Sequence, residues 1–490
     1  MSGACGANHQ HGGACGANHR HGGTRGANHQ HGGATAALGA FVAGLTHDAL
    51  PDDVVDRVLA HTLDHLGAAL LGATMPWNAV VRRYALGETP DGPCTILGAT
   101  GTGRPEWAAL ANATAGHGFE IDDYALPALA HPGCVVVPAA LAVAESRGAR
   151  GHAALTALAA GFEVVLRLGL ATTPSLTSDR GFHVTGVHGV FGAAAVAGRL
   201  AGLDPATMAS AFGLAASQAG GVTEYTRSGG EVKRLHAGLA AMGGIRAARL
   251  AAEGFPGPPT AIEGERGLLH AFVANARPEA LTDELGTAWR VHGLAVKRFC
   301  VCAGLHAPIE AAAALRPGLD LSTVDEVVVG TDAATRHHVG AIGPRPKDMT
   351  GAQFSAEHAV ATRLVLGGNG PAEYARLRAA GFDLPDVTRV AERVRLEVDA
   401  QAEAVFPHRL LARVTIRAGG RELTARAEAR GTPALPLSGD EVRAKFTGLA
   451  APVVGDRTAA AVVAAVDALR DDGPVDAVTA PLRRTIEETP

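Results

Sequence analysis

Apolar positions recur at three- and four-residue spacing along most of the chain, the period of helices that bury one face. Leu38, Phe41, Val42 and Leu45 begin the pattern just after Ala36. Pro51 opens a second helix, whose stripe runs through Val54, Val55, Val58, Leu59 and Leu63. Asp64 to Gly72 reads as a buried helix with small residues at its contacts. A loop at Thr102-Gly103-Arg104-Pro105 precedes a further helix containing Trp107, Leu110, Asn112 and His117. Ala/Val/Leu/Gly runs over 138–171 and 184–221 predict long helices, with the loop Thr172-Thr173-Pro174-Ser175 between them. Helix follows helix without a strand signal, which argues for an all-α unit rather than a βαβ array.

The pattern changes near residue 285. Val327-Val328-Val329, Val394 to Val398 and Leu411 to Ile416 alternate apolar and polar as strands do, with helices between them. They predict a smaller α+β domain ending near Arg430 to Pro433. Ser438 and Glu441 then have capping-box spacing, and apolar helical sequence runs on to about Leu469. The expected fold is therefore mainly α. A large helical domain spans 36–284, an α+β domain 285–433, and helices of 434–490 rejoin the first domain.

Ahead of all this, residues 3–32 repeat one decapeptide three times: GACGANHQHG, GACGANHRHG, GTRGANHQHG. Gly at this density with few large apolar side chains predicts a disordered tail over 1–35. Its histidines, with Cys5 and Cys15, suit zinc, nickel or copper, but no closed ligand geometry follows from the spacing.

Composition narrows the function. The chain of 490 residues is 47% hydrophobic but only 4% aromatic, which points to small-residue helix packing. A net charge of -5 gives none of the basic footprint that a nucleic-acid partner requires. Six scattered cysteines are too few to staple a protein of this size, so a reduced, cytoplasmic setting is expected. No charged n-region precedes an apolar h-region, and no uninterrupted apolar run reaches the roughly 18 residues that span a membrane. The chain thus reads as soluble, with no membrane partner.

Candidate chemistry collects between Glu120 and His236, where ionisable groups interrupt Ala/Gly/Val/Leu-rich sequence. Such groups are costly to bury unless paired or used. Asp122 and Asp123 follow Glu120 and precede His131; they read either as a pair that orients a histidine or as a helix cap on a solvated turn. His131 stands at the mouth of a helix beginning near Val135, and His183 and His188 raise the same choice between site and structure. Lys233, Arg234 and His236 follow a glycine pair before the small-residue helix Ala237 to Ala248, as a ligand counter-charge or as a charged helix start. Lys297 and Arg298 open the later region together with His306, and would suit an anion clamp. Cys300-Val301-Cys302 is C-x-C, not the C-x-x-C of redox or zinc sites.

Taken in order, these motifs resemble the MmgE/PrpD family, which includes 2-methylcitrate dehydratase and cis-aconitate decarboxylase. The resemblance covers about residues 36–475. It runs from Phe41 to Leu45, Leu50 to Val55 and Asp64 to Gly67, through Ala111 to His117, the Asp122-Asp123, His131-Pro132-Gly133 and Gly181-Phe182-His183 segments and Lys233 to Gly238, to Phe354-Ser355 and Pro436 to Phe446. It implies a helical domain built from both chain ends, an α+β lid, a pocket between them, a homodimer, and no metal or organic cofactor. It also implies loss of water or carbon dioxide from a small di- or tricarboxylate. By position, the family's site acid falls on Glu120, its histidines on His131, His183 and His306, and its lysine on Lys233. Glu120 stands where decarboxylase-like members have Asp, Tyr124 where they have Thr, Phe299-Cys300 where Tyr-Pro is usual, and His358 where a pocket tyrosine is found.

The expected activity is a cofactor-independent lyase that dehydrates a small hydroxy-carboxylate. His131 and His183 would serve as base and acid, Lys233 would hold developing negative charge, and Glu120 and Asp123 would orient the histidines. Asp122, Tyr124, Arg234, His236, Lys297, His306 and His358 would bind substrate. Decarboxylation of a cis-aconitate-like acid, or epimerisation at an acidic carbon, passes through similar carbanionic species. A non-catalytic metal-binding role for the tail is the reading from another class. A secondary-metabolic acid is the expected substrate.

Overall fold

The computed structural model describes residues 33–89, 91–228 and 230–487. The His/Gly repeats, with the histidines and cysteines that could bind a metal, lie outside the described residues. The first helix, Ala34–Gly44, begins inside the stretch expected to be tail. Thr35 is buried there, and its N–H and hydroxyl both donate to Glu263 Oε2, at 3.0 and 2.6 Å.

The protein is mainly α, with a small mixed sheet late in the chain. Helices Asp52–Ala73, Pro105–Gly116, Gly133–Arg147, Gly151–Thr172, Val184–Ala201 and Val232–Ala252 pack around the larger apolar cluster. Small residues let their backbones meet. A Cβ on Gly72 would stand 1.9 Å from the Ala115 carbonyl oxygen, and one on Gly244 2.4 Å from that of Val190. A core poor in aromatics thus reaches close packing by drawing helix axes together.

The helical run over 138–171 consists of two helices, because Gly148 takes a left-handed φ of 60° and closes the first at Arg147. Gly202 does the same after Val184–Ala201, and Asp204 caps the following helix, Pro205–Ala216, by accepting from the Ala206 and Thr207 N–H groups. The helix expected from Ala237 begins earlier, at Val232, so Lys233, Arg234 and His236 lie in its first turns.

Two helices, Gly151–Thr172 and Val184–Ala201, are long and apolar enough to cross a membrane by length and composition, although neither is an uninterrupted apolar run. Both lie almost wholly inside the fold. The first carries the buried pair Glu163 and Arg167, 3.0 Å apart, and Arg167 also donates to the carbonyls of Asp283 and Ala288. Each polar atom is occupied inside the protein, as burial requires.

The sheet runs in the order Val394–Val398, Val324–Thr331, Leu411–Ala418, Arg421–Glu428. The first pair is parallel, with Val329 opposite Leu396, and the other two pairs are antiparallel, with Val329 opposite Val414 and Thr415 opposite Thr424. Val327, Val329, Val414 and Ile416 join Ile309, Ala312 and Val360 of the covering helices in the second apolar cluster. The fourth strand was not foreseen, since in Arg-Glu-Leu-Thr-Ala-Arg-Ala-Glu only Leu423 is large and apolar.

Helix Gly439–Val454 carries the anticipated capping box: Ser438 Oγ accepts from the Glu441 N–H at 3.2 Å, and Glu441 accepts from the Ser438 N–H at 2.9 Å. It packs on Asp52–Ala73, where a Cβ on Gly67 would be 3.3 Å from the Phe446 Cα.

Candidate active site

The loop between helices Pro105–Gly116 and Gly133–Arg147 carries Glu120, Asp122, Asp123, Tyr124 and His131. Side chains from three distant segments hold its backbone. Arg234 Nε donates to Gly118 O at 2.7 Å, Gln353 Nε2 to Phe119 O at 3.0 Å, and Lys445 Nζ to Ile121 O at 2.7 Å. Tyr124 and Ala295 exchange both backbone hydrogen bonds, at 3.1 and 2.8 Å. Within this clamp Glu120 takes a left-handed φ of 55°, a conformation that persists only when its surroundings impose it.

Asp122 and Asp123 are 1% and 2% exposed, which rules out the solvated turn. Asp123 nevertheless also caps a helix: its Oδ1 accepts from the Gly133 N–H at 3.0 Å, while Oδ2 lies 3.2 Å from His61 Nδ1. Asp122 Oδ2 takes two histidines, His117 Nδ1 at 2.7 Å and His131 Nδ1 at 3.2 Å, and Oδ1 is 3.8 Å from Lys297 Nζ. Burial pushes the Asp122 carboxyl up, but His131, His117 and Lys297 outweigh it and hold it well below the usual carboxylate range. Burial, opposed by Asp122, drives His117 down to about 3, so its neutral ring donates from Nδ1 to an ionised carboxylate.

His131 Nδ1 also faces the Asp123 carbonyl at 2.8 Å and must carry its proton there. Its Nε2 lone pair is thereby left for other work, on a side chain that is 18% exposed. His183 stacks on His117 with centroids 5.5 Å apart, and its Nδ1 lies 3.1 Å from that of His236. Burial, with His117, His236 and His131 nearby, holds His183 well below its ordinary value.

Glu120 receives two ammonium groups. Lys297 Nζ donates to Oε2 at 3.1 Å and Lys233 Nζ pairs with Oε1. Burial, then Lys297, pulls Lys233 well below the ordinary lysine value. Tyr124 is buried with its phenol pushed well up, and its ring lies 6.5 Å from that of His306. Burial and Lys297 hold His306 well below its ordinary value.

Eight of the residues singled out in the sequence thus meet in one place: Glu120, Asp122, Asp123, His131, His183, Lys233, His236 and Lys297. Tyr124 and His306 border them. Arg234 does not aim at a ligand: besides Gly118 O it donates to Thr350 Oγ1 at 3.2 Å, pairs with Glu231 and lies 4.1 Å above the Trp77 ring. His358 lies in helix Ala356–Leu366, against the backbone of Ala352 and Phe382. The sequence reading passed over His117 and His61, which contact the two aspartates directly. Only their burial on apolar helix faces could have pointed to them.

His117, Asp122 and Cys134 place donor atoms within 4.8 Å of one another, close enough for a metal ion. Their chemistry fits one poorly. The Cys134 thiol donates to His131 O at 3.0 Å, burial raises it well above its ordinary value, and Asp122 is already matched by Lys297 and two imidazoles. A groove of about 610 Å³, lined in part by Arg104, Val143, Ala197, Ile245 and Arg249, contains none of these residues, so chemistry rather than cavity size locates the site.

Residues 36–281 match the MmgE/PrpD N-terminal domain and residues 299–471 the MmgE/PrpD C-terminal domain. The chain belongs to the MmgE/PrpD family. It is 30% identical over 351 residues to a cis-aconitate decarboxylase of Aspergillus terreus (strain NIH 2624 / FGSC A1156), spanning 68% of this chain and 71% of that protein. A cis-aconitate decarboxylase-like protein, oryM, of Aspergillus oryzae is 32% identical over 355 residues, 68% of this chain and 73% of its own. Human cis-aconitate decarboxylase is 32% identical over 292 residues, 58% of this chain and 60% of its own.

Proposed function

We propose that the protein is a lyase that removes water from a small hydroxy di- or tricarboxylate. The observation that carries this reading is the pair of buried ammonium groups, Lys233 and Lys297, converging on one carboxylate beside two Asp122-tethered histidines. A substrate carboxylate takes the place of the Glu120 oxygens between the lysines. When the adjacent C–H bond is broken, negative charge spreads onto that carboxylate, and the Lys233 and Lys297 amines, held in place in a water-poor site, stabilise it as hydrogen-bond donors. His131 Nε2 accepts the proton, and Asp122 stabilises the imidazolium that forms. The electron pair then closes the C=C bond as the C–O bond breaks. The departing hydroxyl takes back the proton now held on His131 and leaves as water, with the neutral His183 and His236 pair placed to hydrogen-bond it.

Decarboxylation is the second reading, favoured by the decarboxylase relatives. There the same lysines hold a retained carboxylate while a neighbouring one leaves as carbon dioxide, and a histidine protonates the carbanion. In either case the helices of 36–284 and 434–490 form the body, residues 285–433 the lid, and the enzyme works as a cytoplasmic homodimer without metal or organic cofactor. The repeat tail is dispensable for turnover, so a chain lacking residues 1–33 keeps its activity.

A panel of hydroxy di- and tricarboxylates in deuterated buffer, followed by mass spectrometry, tests this. Loss of about 18 mass units supports dehydration and loss of about 44 supports decarboxylation. Deuterium uptake without loss indicates epimerisation, and an unchanged panel overturns the proposal.

A further inference from the structure

On the wall of this site formed by residues 302–354 stands a cysteine that the mechanism above does not use. Cys302 is partly exposed, and its N–H donates to Gln353 O at 3.0 Å. Gly304, two residues on, lies so close to helix Ala333–Val339 that a Cβ there would be 2.7 Å from Thr335 Cγ2. One helical turn beyond Thr335, the exposed His338 is brought beside the thiol. The His338 ring sits edge-on to Phe354, with centroids 5.6 Å apart, and Lys233 Nζ lies 5.2 Å from the centre of that same ring. One aromatic ring therefore separates Lys233 from the histidine beside Cys302, which sets the thiol at the edge of the carboxylate site.

Burial alone would raise the Cys302 thiol. The His338 hydrogen bond and charge, the Gly304 N–H and Lys297 bring it instead from 9.0 to about 7, while His338 is raised, first by its hydrogen bond to the thiol and then by the thiol's charge. The other cysteines among the described residues, Cys94, Cys134 and Cys300, are buried and all pushed up.

We propose that Cys302 and His338 form a reactive thiolate–imidazolium pair at the edge of the site, a modification site selective for small electrophiles that carry a carboxylate. The selectivity rests on the carboxylate-binding role given above to Lys297 and Lys233; the reactivity does not. With a haloacetate, the Sγ–C bond forms as the carbon–halogen bond breaks, and halide leaves with the electron pair. The imidazolium keeps its proton throughout. The thioether then places a carboxymethyl group beside the two lysines and blocks the site.

The test uses the full-length enzyme at pH 6, iodoacetamide and iodoacetate as separate probes, and peptide mass spectrometry to read Cys302 alone. A thiol at about 7 is then roughly a hundredfold richer in thiolate than one at 9, and its lower basicity takes back somewhat less than tenfold. Iodoacetamide should therefore label Cys302 about tenfold faster in the native protein than in the urea-unfolded chain, and His338→Gln should remove that advantage. Native labelling no faster than unfolded overturns the reactive pair whatever the enzyme's substrate. Ordinary thiolates repel iodoacetate and react more slowly with it than with iodoacetamide; at Cys302 the order should reverse, and Lys297→Met should restore it. Fast iodoacetamide labelling without that reversal overturns the selectivity, and with it the carboxylate-binding role of this wall.

Discussion

Replacing Lys445 by methionine separates two jobs that one ammonium group does. Lys445 reaches from helix Gly439–Val454 to the buried Asp64 carboxylate at 2.5 Å and to Ile121 O at 2.7 Å, between Glu120 and Asp122. Lys445→Met leaves Asp64, which has no exposed surface, without its cation, and removing one partner of a buried pair costs about 3–5 kcal/mol. That is a large part of a typical stability of about 5–15 kcal/mol. Burial already raises the Asp64 carboxyl against the opposing Lys445 charge and hydrogen bond, and the variant raises it further. A carboxyl raised in the folded state holds its proton better there than in the unfolded chain. Stability therefore falls as pH rises through and above the ordinary carboxyl range. Urea denaturation should show a larger loss at pH 8 than at pH 5. Lys445→Met/Asp64→Leu should regain most of the stability, because the uncompensated charge is gone, yet stay at least tenfold low in kcat, because Ile121 O still lacks its donor. A loss below about 1 kcal/mol, or one equal at the two pH values, would refute the reasoning.

Other expectations follow from the same geometry. Gly133→Ala puts a Cβ 2.5 Å from Asp123 Oδ2, so the carboxylate must leave its cap and His61. We expect a loss of about 1–3 kcal/mol in urea melts, as for overpacking elsewhere, with a fall in kcat. His65, His117 and His188 are driven by burial to about 4, 3 and 3, so the unfolded chain takes up protons that the native protein refuses. Their contribution is complete above the ordinary 6.5 and is lost as pH falls below it, by about 1.4 kcal/mol per pH unit for each residue. His188 Nε2 meets Thr172 Oγ1 at 3.0 Å, away from the site contacts, so His188→Gln should make urea stability between pH 6.5 and 4.5 visibly less steep; an unchanged slope contradicts the assignment.

Much of the helical body could be read from its sequence, because apolar stripes near its start and then long Ala/Val/Leu/Gly runs give a helical signal from Leu38 to Ala248. Glu120, Asp122, Asp123, His131, His183 and Lys233 stood out because charge is rare in such sequence. What stayed illegible depends on contacts across the chain. His61 meets Asp123 from an earlier helix, Lys445 reaches Ile121 over a separation of 324 residues, and His338 reaches Cys302 only because Gly304 lets a helix approach. Spacing carries no trace of such pairs. Arg234 misled for a related reason: a cation beside Lys233 reads as a ligand counter-charge in one dimension, yet its contacts with Gly118 O, Thr350 Oγ1 and the Trp77 ring make it a fastener for the loop.

In the proposed reaction Lys233 and His131 act on a carboxylate substrate in this buried site. The most direct test is turnover, on whichever acid of the panel the wild-type enzyme converts, by Lys233→Met and His131→Gln proteins whose melting matches wild type. We expect a fall of about 10²–10⁴-fold in kcat for His131→Gln. For Lys233→Met we expect a fall of about 10²–10³-fold, as for loss of one preorganised charge-stabilising group. Folded variants that retain full turnover would contradict these roles.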